Sequence, residues 1–164
     1  MDQTALRSLA KWPEVPAVYG WLALDRRGNW LLREAAAERF GRIGNAALRD
    51  FISRNYAADE RGCWYFQNGP QRVYVKLAYT PLVLHFDGEV LVDHCGSPVR
   101  AAATYVDDEG SLLILGQRGI GLLDDRDLAR FADAAEALPR LARSEVETRF
   151  GFVSNPAVVS QFDL

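Results

Sequence analysis

The sequence has few lysines, cysteines and histidines, and it has no long hydrophobic run. Only Lys11 and Lys76 are lysines among the 19 basic residues, and the net charge is -3. A protein that binds nucleic acid usually carries a net or clustered positive charge, so this balance argues against a nucleic-acid partner. The longest apolar runs, such as residues 112–115, are far shorter than the roughly 20 residues that span a bilayer. We therefore expect no membrane association.

Two cysteines, Cys63 and Cys95, are too few for a disulfide framework. The N-terminus lacks the basic and then apolar order of a secretory signal peptide. Both observations favour a cytoplasmic protein with free thiols. The excess of arginine over lysine, with the many alanines, suggests a GC-rich bacterial genome. The chain has 164 residues, of which 49% are hydrophobic and 25% are charged. This composition predicts one globular domain over residues 1–164.

Tight-turn signals recur between residues 62 and 123. They are Asn68-Gly69, Asp87-Gly88 and Asp107-Asp108-Glu109-Gly110, each between runs rich in Val, Leu, Ile, Tyr and Phe. Asn-Gly and Asp-Gly pairs accept the positive φ angles of hairpin turns. We predict an α+β fold in which an antiparallel β-meander sheet of about seven to nine strands has two to four helices packed on one face. A further hairpin over residues 17–33 either joins this sheet or caps its end.

Helices are predicted outside the meander. One short helix is expected over residues 4–12, and Asn45 is expected to cap another that ends near Tyr56. Asp124 or Asp125 is expected to cap a third helix that ends before Pro139, and a weaker helix follows over residues 139–150. Residues 116–121 are expected to bend or bulge the last strand, and residues 155–162 to lie on the surface or add an edge strand.

A zinc site is not expected, although His85, His94, Cys63 and Cys95 have suitable side chains. Their spacing matches no familiar zinc module. If Asp87-Gly88 is the turn, His94 lies about 10–13 Å from His85 at strand rise, which is too far for two ligands of one metal. The glycines of residues 116–121 lack the order of a phosphate-binding loop, and the carboxylates that follow would repel a phosphate. We predict neither a metal nor another cofactor.

A catalytic thiol is the alternative reading. Asp93-His94-Cys95 contains the residue types of an orienting acid, a base and a nucleophile. In a regular strand His94 and Cys95 point to opposite faces, and Gly96-Ser97-Pro98 could break that alternation. A pairing of Cys63 with His85 is also open. On this reading the protein is a small hydrolase or thiol-dependent enzyme that uses Cys95 with a histidine.

A non-catalytic binding or protein-interaction domain is the favoured reading. If Asn68-Gly69 is a hairpin turn, Tyr65 shares one face of the sheet with Arg72, Tyr74 and Lys76. These four residues, the tyrosine face, are expected to be solvated. Tyrosine and arginine dominate the energetics of protein interfaces, so the face is predicted to bind a second copy of the chain or another protein.

Residues 64–75, with Tyr79-Thr80-Pro81 and His85 after them, resemble members of a proteobacterial family of unknown function. The resemblance covers most of the chain. It implies no assigned activity and no catalytic residues, and it is consistent with a small cytoplasmic domain that forms a homodimer.

Overall fold

A computed structural model describes Asp2, residues 17–34 and residues 39–160. The helix predicted over residues 4–12 lies outside these ranges. The described residues form an α+β structure with few helices. Its strands are β1 Ala17–Leu24, β2 Trp30–Glu34, β3 Arg39–Arg42, β4 Tyr56–Ala58, β5 Trp64–Asn68, β6 Gln71–Leu77, β7 Leu82–Asp87, β8 Val90–Asp93, β9 Ala103–Asp107, β10 Leu112–Gly116, β11 Gly119–Leu123 and β12 Arg140–Leu141. Its α-helices are α1 Ala46–Arg54, α2 Val146–Phe150 and α3 Pro156–Ser160, and its 3₁₀ helices are Asp125–Phe131, Ala135–Ala137 and Arg143–Glu145.

The chain divides into two compact units. Unit 1 holds the described residues up to Asp25, residues Asn29–Ala78 and the residues from Val153 onward; unit 2 holds Arg26–Gly28 and Tyr79–Phe152. The chain therefore passes from one unit to the other several times. That residues 1–164 behave as a single domain stays a prediction.

Unit 1 contains a six-stranded mixed sheet in the order β3-β2-β1-β6-β5-β4. Its central pair, β1 and β6, is parallel, with Leu22 opposite Val75, and the other pairs are antiparallel. Helix α1 packs against β5, where the ring of Phe51 meets that of Phe66 edge to face. The Trp30 indole N–H donates to the Ser53 hydroxyl of the same helix at 3.0 Å. One part of the core of unit 1 lies between this helix and the sheet, and another part lies around Tyr65 and Tyr74 on the opposite side of the sheet.

Unit 2 contains a second six-stranded mixed sheet, in the order β12-β9-β10-β11-β7-β8. The pairs β11–β7 and β12–β9 are parallel, and the remaining pairs are antiparallel. Strands β7, β10 and β11 supply most of its core side chains, which are Leu82, Val83, Leu84, Leu112, Leu113, Ile114, Ile120, Leu122 and Leu123.

The prediction of one antiparallel meander was wrong, although its hairpins β5–β6, β7–β8 and β9–β10 form. The meander is interrupted between β6 and β7. In unit 1 the Ala78 N–H donates to the Leu24 carbonyl at 2.9 Å. In unit 2 the Thr80 hydroxyl donates to the Leu82 carbonyl and accepts the Leu122 N–H. Strand β7 consequently pairs with β11 and not with β6.

Two predicted caps are confirmed, but the helices after them are shorter or tighter than expected. The Asn45 side chain accepts the Leu48 N–H at 3.0 Å, and α1 ends at Arg54 because Tyr56 already pairs with Phe66 in the sheet. Asp124 caps the 3₁₀ helix Asp125–Phe131 by accepting the Arg126 N–H. The predicted helix over residues 139–150 is replaced by β12, a 3₁₀ turn and α2.

Residues 116–121 do not bulge a single strand. Gly116 pairs with Gly119, so Gln117 and Arg118 form the two-residue turn of a β10–β11 hairpin. Gly119 has a φ of 130°, which a residue with a side chain rarely adopts. At the C-terminal side, residues 156–160 form helix α3 and not an edge strand.

Candidate functional site

The four residues of the tyrosine face share one side of the sheet, as predicted, but the turn and the exposure differ from the prediction. Asn68 pairs with Gln71, so the two-residue turn is Gly69-Pro70 and not Asn68-Gly69. Tyr65 lies opposite Tyr74, and Gln67 lies opposite Arg72, so Tyr65, Tyr74, Arg72 and Lys76 share one side of the sheet. Lys76 is exposed and Arg72 is half-buried. Tyr65 and Tyr74, however, are only 5% and 4% exposed, so the expectation of a solvated face was wrong at both tyrosines.

Other residues of unit 1 cover these two tyrosines. The ring of Tyr19 stacks on that of Tyr74, with centroids 4.9 Å apart and planes 3° from parallel. Cys63 and Val153 pack against the same rings, and the Arg72 guanidinium lies 4.3 Å from the centroid of the Tyr65 ring. Burial of the rings leaves Arg72 and Lys76 as the accessible part of the tyrosine face.

A buried acid completes this cluster. The Tyr74 hydroxyl donates to Asp59 Oδ2 at 2.9 Å, and the Arg61 guanidinium donates to the same oxygen at 3.2 Å. Burial raises the pKa of Tyr74, and its bond to the Asp59 carboxylate raises it further. Burial also acts to raise the pKa of Asp59, but the bonds from Tyr74, Arg61 and the Cys63 N–H outweigh it, and that pKa is lowered. Each polar group is therefore satisfied within the cluster, which suits a structural role.

Asp59 belongs to a turn that occurs four times. The sequence pattern is Asp-x-x-Gly followed by a polar residue or cysteine, and its members are residues 25–29, 59–63, 93–97 and 107–111. In each turn the first residue and the fifth are joined by a backbone hydrogen bond. The aspartate Oδ1 accepts the N–H of the fifth residue, and in the last three turns also that of the third. The repeated spacing was readable in the sequence, but sequence reasoning found no repeat.

Residues 93–95, the candidate catalytic segment, lie in the third of these turns. Asp93 is fully buried and its Oδ2 accepts from Arg118 at 3.0 Å. The Cys95 thiol also interacts with the Arg118 guanidinium. His94 Nδ1 accepts the Val83 N–H at 3.1 Å, so its hydrogen bond serves the β7–β8 hairpin. Arg118 was missed because it reaches Asp93 from the distant β10–β11 turn.

The two histidines are closer than predicted. The β7–β8 turn is Gly88-Glu89, one residue later than assumed, because Asp87 pairs with Val90. His85 therefore lies opposite Val92, and His94 is only two residues further along, about 7 Å at strand rise. Both line a polar cavity of about 380 Å³ in unit 2, together with Asp124, Arg126 and Asp127. Even so, no cluster of three or more potential metal ligands occurs within the described ranges.

A second cavity, which sequence reasoning missed, lies in unit 1. We call it the apolar groove. It has a volume of about 470 Å³ and is bounded by β1, β2, β5, β6 and α1. Its lining residues are Val18, Trp21, Leu22, Leu32, Ile43, Leu48, Ile52, Phe66, Asn68, Gln71 and Val73. Phe66 and Val73 are paired, so the apolar groove lies on the side of the sheet opposite to the tyrosine face.

The apolar groove has a buried floor and an exposed rim. Leu22 and Ile52 are each 2% exposed although both line the cavity. Trp21, Leu32 and Leu48 are 44%, 45% and 39% exposed, and they are among the few large hydrophobic side chains that the described residues of unit 1 leave in solvent. A concave apolar cavity with an exposed aromatic rim is the usual form of a ligand site.

An irregularity in β1 places Trp21 on this rim. The register of β1 against β6 shifts between Val18 and Leu22, and Gly20 within the shift has a φ of 82°. Such a bulge re-aims the side chains around it. Trp21 and Leu22 consequently line the same cavity although they are neighbours in a strand. Trp30, on the neighbouring strand, lies opposite Leu24 and packs against Tyr56.

A protein-family profile matches residues 1–157 of the chain. The matching profile is that of DUF2944, described as a protein of unknown function (DUF2946). The chain belongs to this family. The resemblance of residues 64–75 to an uncharacterised proteobacterial family is thereby confirmed, and the family has no assigned function. No curated protein matches the chain.

Two solved structures share the fold of this DUF2946 family member. One is a DUF1285 family protein from Silicibacter pomeroyi, with a TM-score of 0.52 and 17% identity over 76% of this chain and 74% of that chain. The other is a DUF1285 family protein from Shewanella baltica, with a TM-score of 0.50 and 12% identity over 70% of this chain and 91% of that chain. At these identities the likeness concerns the fold alone.

Within the described ranges, no helix has the length and apolar character needed to cross a membrane.

Proposed function

We propose that this chain is a non-catalytic binding domain and that its binding site is the apolar groove. The observation that carries the proposal is the rim of Trp21, Leu32 and Leu48, which leaves large apolar surfaces in water around a cavity. Apolar surface of this kind is stabilised when a partner removes it from water, by about 25 cal/mol for each Å² covered. Contiguous exposed apolar patches in monomeric proteins commonly mark binding sites.

The side chains that line the apolar groove favour binding without catalysis. None of the described residues around the apolar groove is ionisable or nucleophilic. General acid–base and nucleophilic catalysis both require such groups within hydrogen-bond reach of the reacting atoms.

A charged rim variant tests the proposal. Leu48→Glu should abolish binding, whereas the control Val90→Glu, at an exposed valine of unit 2, should not. Native mass spectrometry of the protein purified from its own bacterium measures what stays bound. We expect a bound species on the wild type and on Val90→Glu, and none on Leu48→Glu. The proposal is wrong if the wild type carries nothing and acrylamide quenches Trp21 equally in all three proteins.

Self-association through the tyrosine face is a second candidate. Arg72 is fixed over the Tyr65 ring and hydrogen-bonded to Tyr74, and Lys76 is exposed beside it on the same face. An immobilised guanidinium next to a second cation suits an acidic patch on another copy of the chain in the bacterial cytoplasm. The proposal predicts a homodimer.

Sedimentation velocity tests this second candidate. The double variant Arg72→Glu, Lys76→Glu should sediment as a monomer, and Arg100→Glu, at an exposed arginine of unit 2, should leave the dimer intact. A wild-type monomer, or an unchanged dimer in the double variant, would rule the tyrosine face out as the dimer interface.

A further inference from the structure

We infer that the apolar groove binds a small uncharged molecule with an apolar body and one hydrogen-bonding end. This inference rests on the proposed function, and it names the chemical class of the occupant. Three properties of the groove carry it: the absence of charge in its lining, its size, and the position of its two polar side chains.

The first property is charge. The described lining consists of nine apolar residues, Asn68 and Gln71, so no side chain there can pair with a charged ligand. Moving an ion from water to an apolar site without a partner is strongly unfavourable. The groove therefore discriminates against any ligand whose charged group would be buried among the nine apolar side chains.

The second property is size. A water molecule occupies roughly 30 Å³ in the liquid, so a cavity of about 470 Å³ holds about fifteen non-hydrogen atoms. A stable protein–protein interface involves roughly 20–30 residues on each side, whereas 11 residues line the groove. Leu22 and Ile52 form a buried floor beneath the exposed rim. These dimensions fit a small molecule and not a second copy of the chain.

The third property is the polar end. Asn68 and Gln71 face each other across the β5–β6 turn, where the hairpin register ends. A primary amide donates and accepts hydrogen bonds, so it can bind a hydroxyl, carbonyl or amide group equally well. The other residues of the lining offer no polar side chain. A ligand with a single polar group is therefore oriented with that group toward the turn.

Two fluorescent probes that differ mainly in charge test the charge preference. N-phenylnaphthylamine is uncharged, and anilinonaphthalene sulfonate adds a sulfonate to the same aromatic groups. We expect one molecule of the neutral probe to bind per chain, at least about tenfold more tightly than the sulfonate. Trp21 at the rim should transfer excitation energy to the bound probe. A medium-chain alcohol should displace the probe better than the carboxylate of equal length.

Cavity-filling variants locate the site. Val73→Phe and Val18→Phe place a ring inside the groove, and Val90→Phe makes the same change at an exposed position of unit 2. Binding of the neutral probe should fall at least about tenfold in the two groove variants and stay unchanged in the control. Far-ultraviolet circular dichroism and thermal unfolding establish that each variant is folded. Asn68→Leu should weaken the binding of the alcohol more than the binding of the neutral probe.

The outcomes separate this inference from the proposed function. Equal affinity for the neutral and anionic probes, or unchanged binding in both groove variants, overturns the inference. A protein chain that is bound in native mass spectra and released by Leu48→Glu also overturns it, but leaves the proposed function intact. If no probe binds and no species is released by Leu48→Glu, both are wrong.

Discussion

At the scale of single residues, most buried acids of this chain organise turns. Asp59, Asp93 and Asp107 each use one carboxylate oxygen for two backbone N–H groups. The second oxygen accepts from a long side chain elsewhere in the same unit, such as the Tyr79 hydroxyl on Asp107 at 2.8 Å. Both oxygens of each buried carboxylate are thereby satisfied by hydrogen bonds. Aspartates that resemble catalytic acids in the sequence are thus parts of the scaffold.

The two thiols should differ in reactivity. Cys63 is fully buried, whereas Cys95 is partly exposed and interacts with the Arg118 guanidinium. A neighbouring cation favours the reactive thiolate form. We expect iodoacetamide to modify Cys95 first and Cys63 only after unfolding, as measured by peptide mass mapping.

Substitutions at Arg118 test whether its positive charge is responsible for the reactivity of the Cys95 thiol. Arg118→Met should slow the modification of Cys95 about threefold or more, and Arg118→Lys should restore most of the rate. Arg100→Met serves as a control at an exposed arginine. Modification of Cys63 at the same rate as Cys95 in the native protein would contradict the burial of Cys63.

Acid should destabilise the protein in part through Asp124. Burial acts to raise the pKa of Asp124, but hydrogen bonds from the Arg126 guanidinium and N–H outweigh it and lower the pKa to about 2. The folded-state value lies below the unfolded-state value near 3.9. The carboxylate therefore stabilises the fold above about pH 4, and this contribution disappears as the pH falls through about 2.

Urea unfolding at a series of pH values measures this effect. The free energy of unfolding of Asp124→Asn should vary less between about pH 4 and pH 2 than that of the wild type. Asp133→Asn, at an exposed carboxylate of unit 2, should follow the wild-type curve. If the free energies of unfolding of the wild type and Asp124→Asn changed in parallel with pH, Asp124 would not contribute to the acid sensitivity of the fold.

At the scale of elements, local signals predicted the hairpins well and the pairing of distant strands poorly. The turn residues between β5 and β6 determine that Tyr65 faces Tyr74, because hairpin register depends on a few adjacent residues. The parallel pairing of β1 with β6 joins residues about fifty positions apart, and no local pattern encodes it. The bulge at Gly20 exists only within that pairing. The position of Trp21 on the rim of the apolar groove is therefore not encoded in a local pattern.

The bulge makes Gly20 important for both stability and binding. Gly20→Ala adds no steric clash but places a side chain at a φ of 82°, which costs about 1–3 kcal/mol. Gly44→Ala is the matched control, since Gly44 also has open space and no positive φ. We expect Gly20→Ala alone to lower the free energy of unfolding, shift the Trp21 emission and weaken binding at the apolar groove. Equal free energies of unfolding for Gly20→Ala and Gly44→Ala would show that position 20 accepts a side chain without backbone strain.

At the scale of the whole molecule, the chain builds two mixed sheets from interleaved segments. It passes between the units after Asp25, Gly28, Ala78 and Phe152, so neither unit is continuous in sequence. Folding of either unit therefore requires segments that the other unit separates along the chain. This organisation favours a single cooperative transition.

Calorimetry of two core variants tests this cooperativity. Leu24→Ala in unit 1 and Val146→Ala in unit 2 each remove a side chain that is at most 1% exposed. Each should destabilise the fold by about 2–4 kcal/mol and lower the same transition temperature. Two resolved transitions, each shifted by only one variant, would show that the units unfold independently and that residues 1–164 are not one domain.

The amino-acid sequence by itself determined the α+β class, the hairpins of residues 62–123, the cap at Asn45 and the shared face of Tyr65, Arg72, Tyr74 and Lys76. Each depends on turn chemistry or on the two-residue period of a strand, which act over a few residues. Only the tertiary structure decided that the chain forms two mixed sheets and that Tyr65 and Tyr74 are buried. It also decided that Arg118 reaches Asp93 and that Trp21 borders the apolar groove. These features arise from contacts between residues far apart in the chain, where burial and pairing outweigh local preference.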